Sequence, residues 1–336
     1  MTAQNQLDLL KRSPELSGRF EFVRLLGHGT AGNVYLVKDR TRPEQYLALK
    51  LLTNDMAFDE HTITRFREEW AVCQRIKHPN LVQSYDLIEY DKCLAFTMEY
   101  VQGFDLARLL RQEKFSYDEV NRIMYQLLEA VHALHELNVM HRDIKLENIF
   151  LRKDGVIKLG DLGLLKKIGV KNLTRPGILL GTPQYMPPEY IRAGRFDFRS
   201  DVYACGVVMY ELLTGKRRLD DKRGAAAITY LIKTKFEFPR IALSGDGRKY
   251  VKILERALAV NPSKRFTSAK EMQEAFSPRT LERPETFSQS PSVTFHFGGG
   301  TSHAIKKLKK IAAGVSLLAV FAMGLAVAWY FLGLNR

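Results

Sequence analysis

Cysteine is scarce in this chain, and the few cysteines have none of the spacings that give them a structural use. The 336 residues include three, Cys73, Cys93 and Cys205, an odd number without a Cys-x-x-Cys pair. This pattern excludes a disulfide framework and a cysteine zinc site. We therefore expect a reducing compartment and ordinary buried thiols.

Acidic residues are also in the minority: 37 Asp and Glu stand against 51 Lys and Arg, which gives a formal net charge of +14. Such a charge invites a nucleic-acid interpretation, but the sequence lacks a zinc-finger motif, an RNP motif and a long Lys/Arg tract. A position near anionic lipid, or a preference for acidic substrates, explains the charge more simply. We expect no nucleic-acid partner.

The first residues lack the apolar core of a signal peptide, since residues 1–18 are polar. The long apolar run lies at the other end, at 311–334. It contains no charged residue, and at 1.5 Å per helical residue it reaches about 36 Å, enough to cross a bilayer core. Lysines at 306–310 precede it, so the positive-inside rule predicts a single-pass helix in the inner (cytoplasmic) membrane with the N-terminal part in the cytoplasm. A buried helix of a soluble domain is the less favoured alternative.

Composition changes near residue 277. From there to residue 303 the chain is rich in Ser, Thr, Pro and Gly without sustained periodicity, which is typical of a flexible linker. We therefore divide the chain into an N-terminal extension (1–19), a folded domain (20–276), a flexible basic juxtamembrane linker (277–310), a transmembrane helix (311–334) and an extracytoplasmic end (335–336).

One run of eight residues carries more chemical information than any other part of the chain. Residues 141–148 read His-Arg-Asp-Ile-Lys-Leu-Glu-Asn. An Asp that can accept a hydroxyl proton, an Asn that can hold a metal and a Lys between them are groups that phosphoryl transfer requires. The first three residues recur by chance in many proteins, whereas the full pattern is specific.

A glycine-rich turn lies between two alternating apolar segments in residues 20–38. Residues 27–32 read Gly-His-Gly-Thr-Ala-Gly, and these glycines would let the backbone fold closely over phosphates, where a Cβ obstructs. A dinucleotide-binding fingerprint would continue into a helix, but residues 34–37 (Val-Tyr-Leu-Val) favour a strand. A Walker A loop would end in Gly-Lys-Ser/Thr, which is absent. The segment therefore predicts a strand, a glycine turn and a second strand.

Further motifs follow in a fixed order. They are LALK at Leu47–Lys50, GDLG at Gly160–Gly163, GTPQYMPPE at Gly181–Glu189 and NPSKRF at Asn261–Phe266. Together with the two runs above, they resemble the motifs of the eukaryotic-like (Hanks-type) serine/threonine protein kinases of bacteria over about residues 20–276. Two positions depart from the family pattern, with Leu162 in place of Phe and Pro187 in place of Ala. Leu162 keeps the apolar bulk, so the expectation of activity is unchanged.

The resemblance implies an α+β fold: a bilobal protein-kinase fold with a β-rich N-lobe and a mainly helical C-lobe, to which the membrane segment adds one C-terminal transmembrane helix. It implies transfer of the ATP γ-phosphoryl group to Ser/Thr hydroxyls of protein substrates, with Mg²⁺ as the metal and Mn²⁺ as a substitute. Lys145 and Thr182 favour Ser/Thr over Tyr as the acceptor.

The resemblance also assigns roles to single residues. Asp143 orients the substrate hydroxyl and accepts its proton, and Lys145 neutralises charge on the γ-phosphate. Asn148 and Asp161 bind the metal ions. The residues expected to bind ATP are Leu26, Gly27, His28, Gly29, Gly32, Val34, Ala48, Lys50, Glu69, Glu99, Val101 and Asp105.

Two of these assignments have alternatives. Lys50 needs an anionic partner, and the helix that follows offers Glu68 and Glu69. Glu69 lies closer to the apolar face of that helix and is the better candidate. Asp105 falls where the family often places a ribose-contacting carboxylate, but it could equally be the N-cap of the helix that begins at Leu106.

Regulation and bracing also have candidates by resemblance. Arg142 precedes the catalytic Asp, where it is expected to meet an anion from the activation segment. The activation segment lies between Asp161 and Glu189, and Thr174 is its preferred phosphosite. Thr182 lies in the run Gly181–Glu189, which by resemblance forms the platform for the protein substrate. Three residues have structural roles by resemblance: Glu189 and Arg265 form an ion pair, and Asp201 braces the catalytic loop.

The main alternative function is a membrane-anchored pseudokinase scaffold. Pseudokinases typically lose Lys50, Asp143 or Asp161, and all three are present. A small-molecule kinase is disfavoured, because such enzymes rarely carry the substrate platform. The expected partners are protein substrates, ATP, the lipid bilayer and a second copy of the chain for autophosphorylation in trans.

Overall fold

A computed structural model describes residues 13–29, 32–42, 45–52, 60–90, 93–161, 183–217, 219, 230–231, 248 and 250–276. All of them belong to one compact unit, Met1–Val293. Among these residues, no helix is both long and apolar enough to span a bilayer. The linker and the membrane segment expected at 277–334 lie outside the described residues, so those assignments stay predictions.

The first lobe is built on a five-stranded antiparallel sheet in the order β1-β2-β3-β5-β4. Its strands are β1 (Phe20–Gly29), β2 (Gly32–Asp39), β3 (Tyr46–Leu52), β4 (Ser84–Tyr90) and β5 (Cys93–Glu99). Strands β1 and β2 stay paired until Gly29 stands opposite Gly32. The glycine-rich turn is therefore the tip of a hairpin.

Each face of this sheet is covered by a different helix, because successive side chains of a strand point to opposite faces. Helix α1 (Pro14–Arg19) buries Leu16 completely on one face, among Phe20, Tyr35, Val37, Leu47, Leu49, Leu51 and Ala95. Helix α2 (Glu60–Arg75) covers the other face with Phe66, Trp70 and Cys73, which pack on Leu52, Leu94 and Phe96. The described part of the predicted N-terminal extension, residues 13–19, is thus packed into the lobe.

The second lobe is mainly helical, with a three-stranded antiparallel sheet in the order β6-β7-β8. The strands are β6 (Gly103–Asp105), β7 (Ile149–Arg152) and β8 (Ile157–Leu159), and the helices are α3 (Leu106–Leu110), α4 (Tyr117–Glu136), α5 (Pro188–Ala193), α6 (Phe198–Thr214), α7 (Val251–Ala257) and α8 (Ala269–Ala275). A capping box between Ser116 and Glu119 begins α4. Helix α6 is buried almost throughout, as expected of a helix at the centre of a lobe.

Hydrogen bonds at the end of strand β8 join the two lobes. Its last residue, Leu159, donates its N–H to the carbonyl of Asn80 at 2.8 Å and accepts from the N–H of Val82 at 2.9 Å. Leu81 and Leu159 form a parallel bridge there. The end of β8 is therefore hydrogen-bonded to the segment that follows α2, and the candidate site lies where these elements meet.

Candidate active site between the lobes

Three of the predicted site residues meet in the catalytic loop. Lys145 Nζ lies 2.9 Å from Asp143 Oδ2, and Asn148 Nδ2 lies 3.0 Å from the same oxygen. Asn148 Nδ2 also donates to the backbone carbonyl of Asp143 at 2.8 Å. One carboxylate oxygen is thus held by a cation and an amide, which fixes the orientation of the Asp143 side chain.

The backbone around Asp143 is held in an uncommon conformation. Arg142 has a φ of 65°, in the left-handed region that non-glycine residues rarely adopt. The carboxylate of Asp201, from α6, accepts the backbone N–H of His141 at 2.8 Å and that of Arg142 at 2.9 Å. His135 Nε2 lies 3.0 Å from the same carboxylate. A buried side chain of the central helix therefore braces the catalytic loop, as predicted for Asp201.

The second cluster joins β3 to the end of β8. Lys50 Nζ forms an ion pair with Asp161 Oδ1, and Asp161 has a left-handed φ of 59°. The preceding Gly160 donates its N–H to the carbonyl of Asn148 at 2.8 Å, and its own carbonyl lies 3.1 Å from His141 Nε2. These bonds tie the segment after β8, which carries Asp161, to the catalytic loop.

His141 is completely buried, and burial lowers its pKa below the ordinary value, although Asp201 and Asp143 oppose this shift. The imidazole is therefore neutral near pH 7. It acts as a hydrogen-bonding spacer between the catalytic loop and Gly160.

The donor set of the two predicted metal ligands fits Mg²⁺. Asn148 and Asp161 carry amide and carboxylate oxygens, which this ion prefers. Among the described residues, no three His, Cys, Asp or Glu side chains gather as a potential metal site.

The glycine hairpin needs glycine at one position above all. Gly32 has a φ of 140°, and a Cβ there would lie 1.8 Å from the carbonyl oxygen of Leu51. His28 Nδ1 lies 2.8 Å from Asn33 Oδ1 across the hairpin. Leu26, Gly27 and Gly29 lie on β1, and Val34 on β2 stands opposite Lys50 of β3. The predicted phosphate-binding residues of β1 to β3 are thus adjacent.

By the resemblance, residues 99–101 are the hinge whose backbone would hydrogen-bond adenine, and they begin at the last residue of β5. Ala48 stands opposite Met98, and Val101 accepts the N–H of Gly103 on its carbonyl at 3.0 Å. Asp105 caps α3, accepting the N–H of Arg108 at 2.7 Å. The capping alternative for Asp105 therefore holds, and its contact with ribose stays a prediction.

The two predicted candidate partners of Lys50 are neighbouring glutamates of α2. Glu69 lies on α2, but its side chain is outside the described part of the structure. The side chain of Glu68 is exposed, as its position on the helix predicts. The pairing of Lys50 with Glu69 stays a prediction, and the pairing with Asp161 is a contact that the sequence had not indicated.

The predicted ion pair of the C-lobe is present. Arg265 is buried, and its two terminal nitrogens each lie 2.7 Å from a carboxylate oxygen of Glu189. Arg265 Nε donates to the carbonyl of Ala259 at 2.8 Å. Glu189, and with it the start of α5, is therefore anchored to Arg265 near the C-terminal end of the domain. Thr174 and Thr182 lie outside the described residues.

Besides the Lys50–Asp161 pair, reasoning from the sequence missed the polar contacts of Tyr185 and Lys158. Tyr185 donates its hydroxyl to Glu211 at 2.5 Å and accepts the backbone N–H of Leu146 at 3.3 Å. Burial, together with Glu211, raises the pKa of Tyr185 well above its ordinary value. The second contact joins Lys158 to Glu99 at 2.8 Å. A lysine in the apolar run Val156–Leu159 was the signal that could have revealed it.

Comparison with known proteins gives consistent matches. The sequence-family model described as the protein kinase domain matches residues 20–277. Serine/threonine-protein kinase PrkC of Bacillus subtilis is 33% identical over 262 residues, which cover 77% of this chain and 40% of PrkC. Serine/threonine-protein kinase pkn3 of Myxococcus xanthus is 33% identical over 264 residues, 75% of this chain and 48% of pkn3. The crystal structure of the PknI kinase domain of Mycobacterium tuberculosis matches with a TM-score of 0.60 and 28% identity, over 76% of this chain and 94% of that one. The chain spans from 34% to 60% of the length of the curated relatives compared.

Proposed function

The chain belongs to the protein kinase family, with a two-lobed domain of the serine/threonine class, and on that premise we propose that the protein transfers the γ-phosphoryl group of ATP to serine and threonine hydroxyls of other proteins. The observation that carries this proposal is the cluster of Asp143, Lys145 and Asn148, linked through Gly160 to the ion pair of Lys50 and Asp161. This cluster brings together the groups that would act on the acceptor hydroxyl and those that would bind the phosphates of ATP.

On the acceptor side, Asp143 orients the substrate hydroxyl and takes its proton. Because Lys145 and Asn148 hold Oδ2, the carboxylate is fixed before the substrate arrives, which reduces the entropy lost on reaching the reactive geometry. The ammonium of Lys145 lies next to that carboxylate and neutralises charge on the transferring group.

On the phosphate side, Lys50 contacts the α- and β-phosphates, and its ion pair with Asp161 holds it at the end of β8. Bound Mg²⁺ would neutralise charge on the phosphates. Asn148 and Asp161 are the residues that would hold it. The β1–β2 hairpin would cover the phosphates with its backbone, and the absence of a Cβ at Gly32 lets this hairpin pair closely with Leu51 of β3.

Incubation of the purified 336-residue chain with radiolabelled ATP, Mg²⁺ and a generic basic protein tests this proposal. Asp143→Asn is expected to lower the rate by about 10²- to 10⁴-fold, the usual contribution of a general base, while ATP binding changes little. Asp154→Asn is the matched control, since Asp154 is an exposed turn residue paired with Arg152. Equal rates in Asp143→Asn and the control would refute the site. ATP binding without any transfer by the wild type would favour the pseudokinase scaffold.

We also propose that residues 311–334 anchor the kinase in the cytoplasmic membrane, with residues 20–276 in the cytoplasm. The support is the uncharged apolar run and the lysines at 306–310. The full chain is expected to stay with membranes after alkaline carbonate extraction, and the kinase domain to resist protease added outside spheroplasts. Extraction into the soluble fraction would contradict the anchor, and proteolysis in intact spheroplasts would contradict the orientation.

A further inference from the structure

A buried lysine lies where an apolar residue would be expected. Lys158 is the middle residue of β8, between Ile157 and Leu159, and it is only 9% exposed. A buried ammonium is costly unless it is paired and hydrogen-bonded. Its Nζ lies 2.8 Å from Glu99 Oε2 and donates to the carbonyl of Leu81 at 3.3 Å.

The partner of Lys158 is the first residue of the predicted hinge. Glu99 ends β5, and its carboxylate also accepts the backbone N–H of Gln83 at 3.3 Å. The backbone N–H of Glu99 donates to the carbonyl of Gln83 at 2.8 Å. Glu99 is therefore held through both its backbone and its side chain, just before Val101, the residue expected to contact adenine.

The same strand leads to the phosphate side of the site. Strand β8 ends at Leu159, and Asp161 follows after Gly160. Asp161 in turn is paired with Lys50. One ion pair thus joins the short strand that leads to the metal-binding carboxylate to the backbone expected to hold the base.

We propose that Lys158 and Glu99 are positioning residues for ATP. Their ion pair fixes the position of the hinge backbone at 99–101 relative to Asp161. This inference rests on the proposed use of ATP by the kinase. Net stability is a weak reason for such a pair, because well-packed apolar residues often replace a buried ion pair without loss. A geometric role explains why the pair joins β8, which leads to Asp161, to the first residue of the hinge.

Two ligands, adenosine and Mg²⁺-tripolyphosphate, test the base and phosphate ends of the site independently when their binding to the full chain is measured. Lys158→Met is expected to weaken adenosine binding about tenfold, which equals about 1.4 kcal/mol. Tripolyphosphate binding should change less than about twofold, and the KM for ATP should rise with little change in kcat. Lys158→Arg, which keeps the charge, should retain most of the adenosine affinity. Lys153→Met is the matched control, because Lys153 is exposed on the turn before β8.

Several results would overturn the inference. One is adenosine affinity in Lys158→Met equal to that of Lys153→Met. Equal loss of adenosine and tripolyphosphate binding with a lower melting temperature would indicate a merely structural role, and a higher kcat would indicate that the pair restrains the enzyme. If Lys158→Met fails to fold, Glu99→Gln decides by the same two ligands. Because neither binding assay requires phosphoryl transfer, a wild type that binds adenosine but transfers nothing would contradict the proposed function and leave this test decisive.

Discussion

Removal of the buried guanidinium of Arg265 should destabilise the C-lobe strongly. The Arg265 side chain is 0% exposed and that of Glu189 is 17% exposed, and they share two 2.7 Å contacts. Arg265→Met would leave the Glu189 carboxylate with the Ser200 hydroxyl but without its cation, a change that costs about 3–5 kcal/mol when one partner of a buried pair is lost. The carbonyl of Ala259 would lose its donor as well.

The loss can be measured as a melting temperature. For a domain of this size, 1 kcal/mol corresponds to about 2–4 °C, so Arg265→Met should melt about 6–20 °C below the wild type. Arg152→Met is the matched control, because Arg152 pairs with Asp154 on the surface, where both side chains are more than 40% exposed. Such a pair contributes about 0–1 kcal/mol, so the control should melt within about 4 °C of the wild type.

A second variant tests the cause. If the loss comes from the unpaired carboxylate, Arg265→Met combined with Glu189→Leu should recover part of the stability, since apolar replacement of a whole buried pair is often tolerated. Melting of Arg265→Met within the range of Arg152→Met would refute the reasoning. A double variant as unstable as Arg265→Met would show that packing or the Ala259 contact dominates.

Four further predictions follow from the site and from the regions outside the described residues. Lys50→Met should abolish most phosphoryl transfer and weaken tripolyphosphate binding more than adenosine binding; equal weakening of both would place Lys50 elsewhere. The free energy of unfolding should fall as pH drops below about 6.5, because burial lowers the pKa of His141 and the unfolded chain then binds more protons; a variant His141→Gln, measured by urea unfolding from pH 7 to pH 5, should show a shallower decline, and an unchanged slope would refute this. Thr174→Ala should lower activity, because a phosphate there would add about −1.5 to −2 charges that Arg142 could pair with, and full activity would contradict the switch. Deletion of 304–336 should leave a competent kinase with lower autophosphorylation at low concentration, because a membrane raises the frequency of encounters in trans; equal, concentration-independent autophosphorylation of both forms would contradict that role.

The bilobal kinase fold implied by the family resemblance of the motifs is confirmed. Residues close in the chain were the easiest to place: Asp143, Lys145 and Asn148 lie on one loop, so their meeting requires only a local turn. The pairing of Lys158 with Glu99 was not foreseen. A lysine in an apolar run shows that a partner is needed, but the sequence does not show which of many carboxylates supplies it.

Local physical rules account for what the sequence determined by itself. Alternation of apolar residues predicted the strands on both sides of the glycine turn, because side chains of a strand alternate between faces. The ion pair of Glu189 with Arg265 and the brace by Asp201 were expected from the family resemblance and not from a local rule. Only the tertiary structure decided that Lys50 contacts Asp161, that Tyr185 bonds to Glu211, and that Asp105 caps a helix. For each of these side chains the sequence offers several candidate partners of suitable charge or hydrogen-bonding type. Burial and the packing of separate elements select one of them.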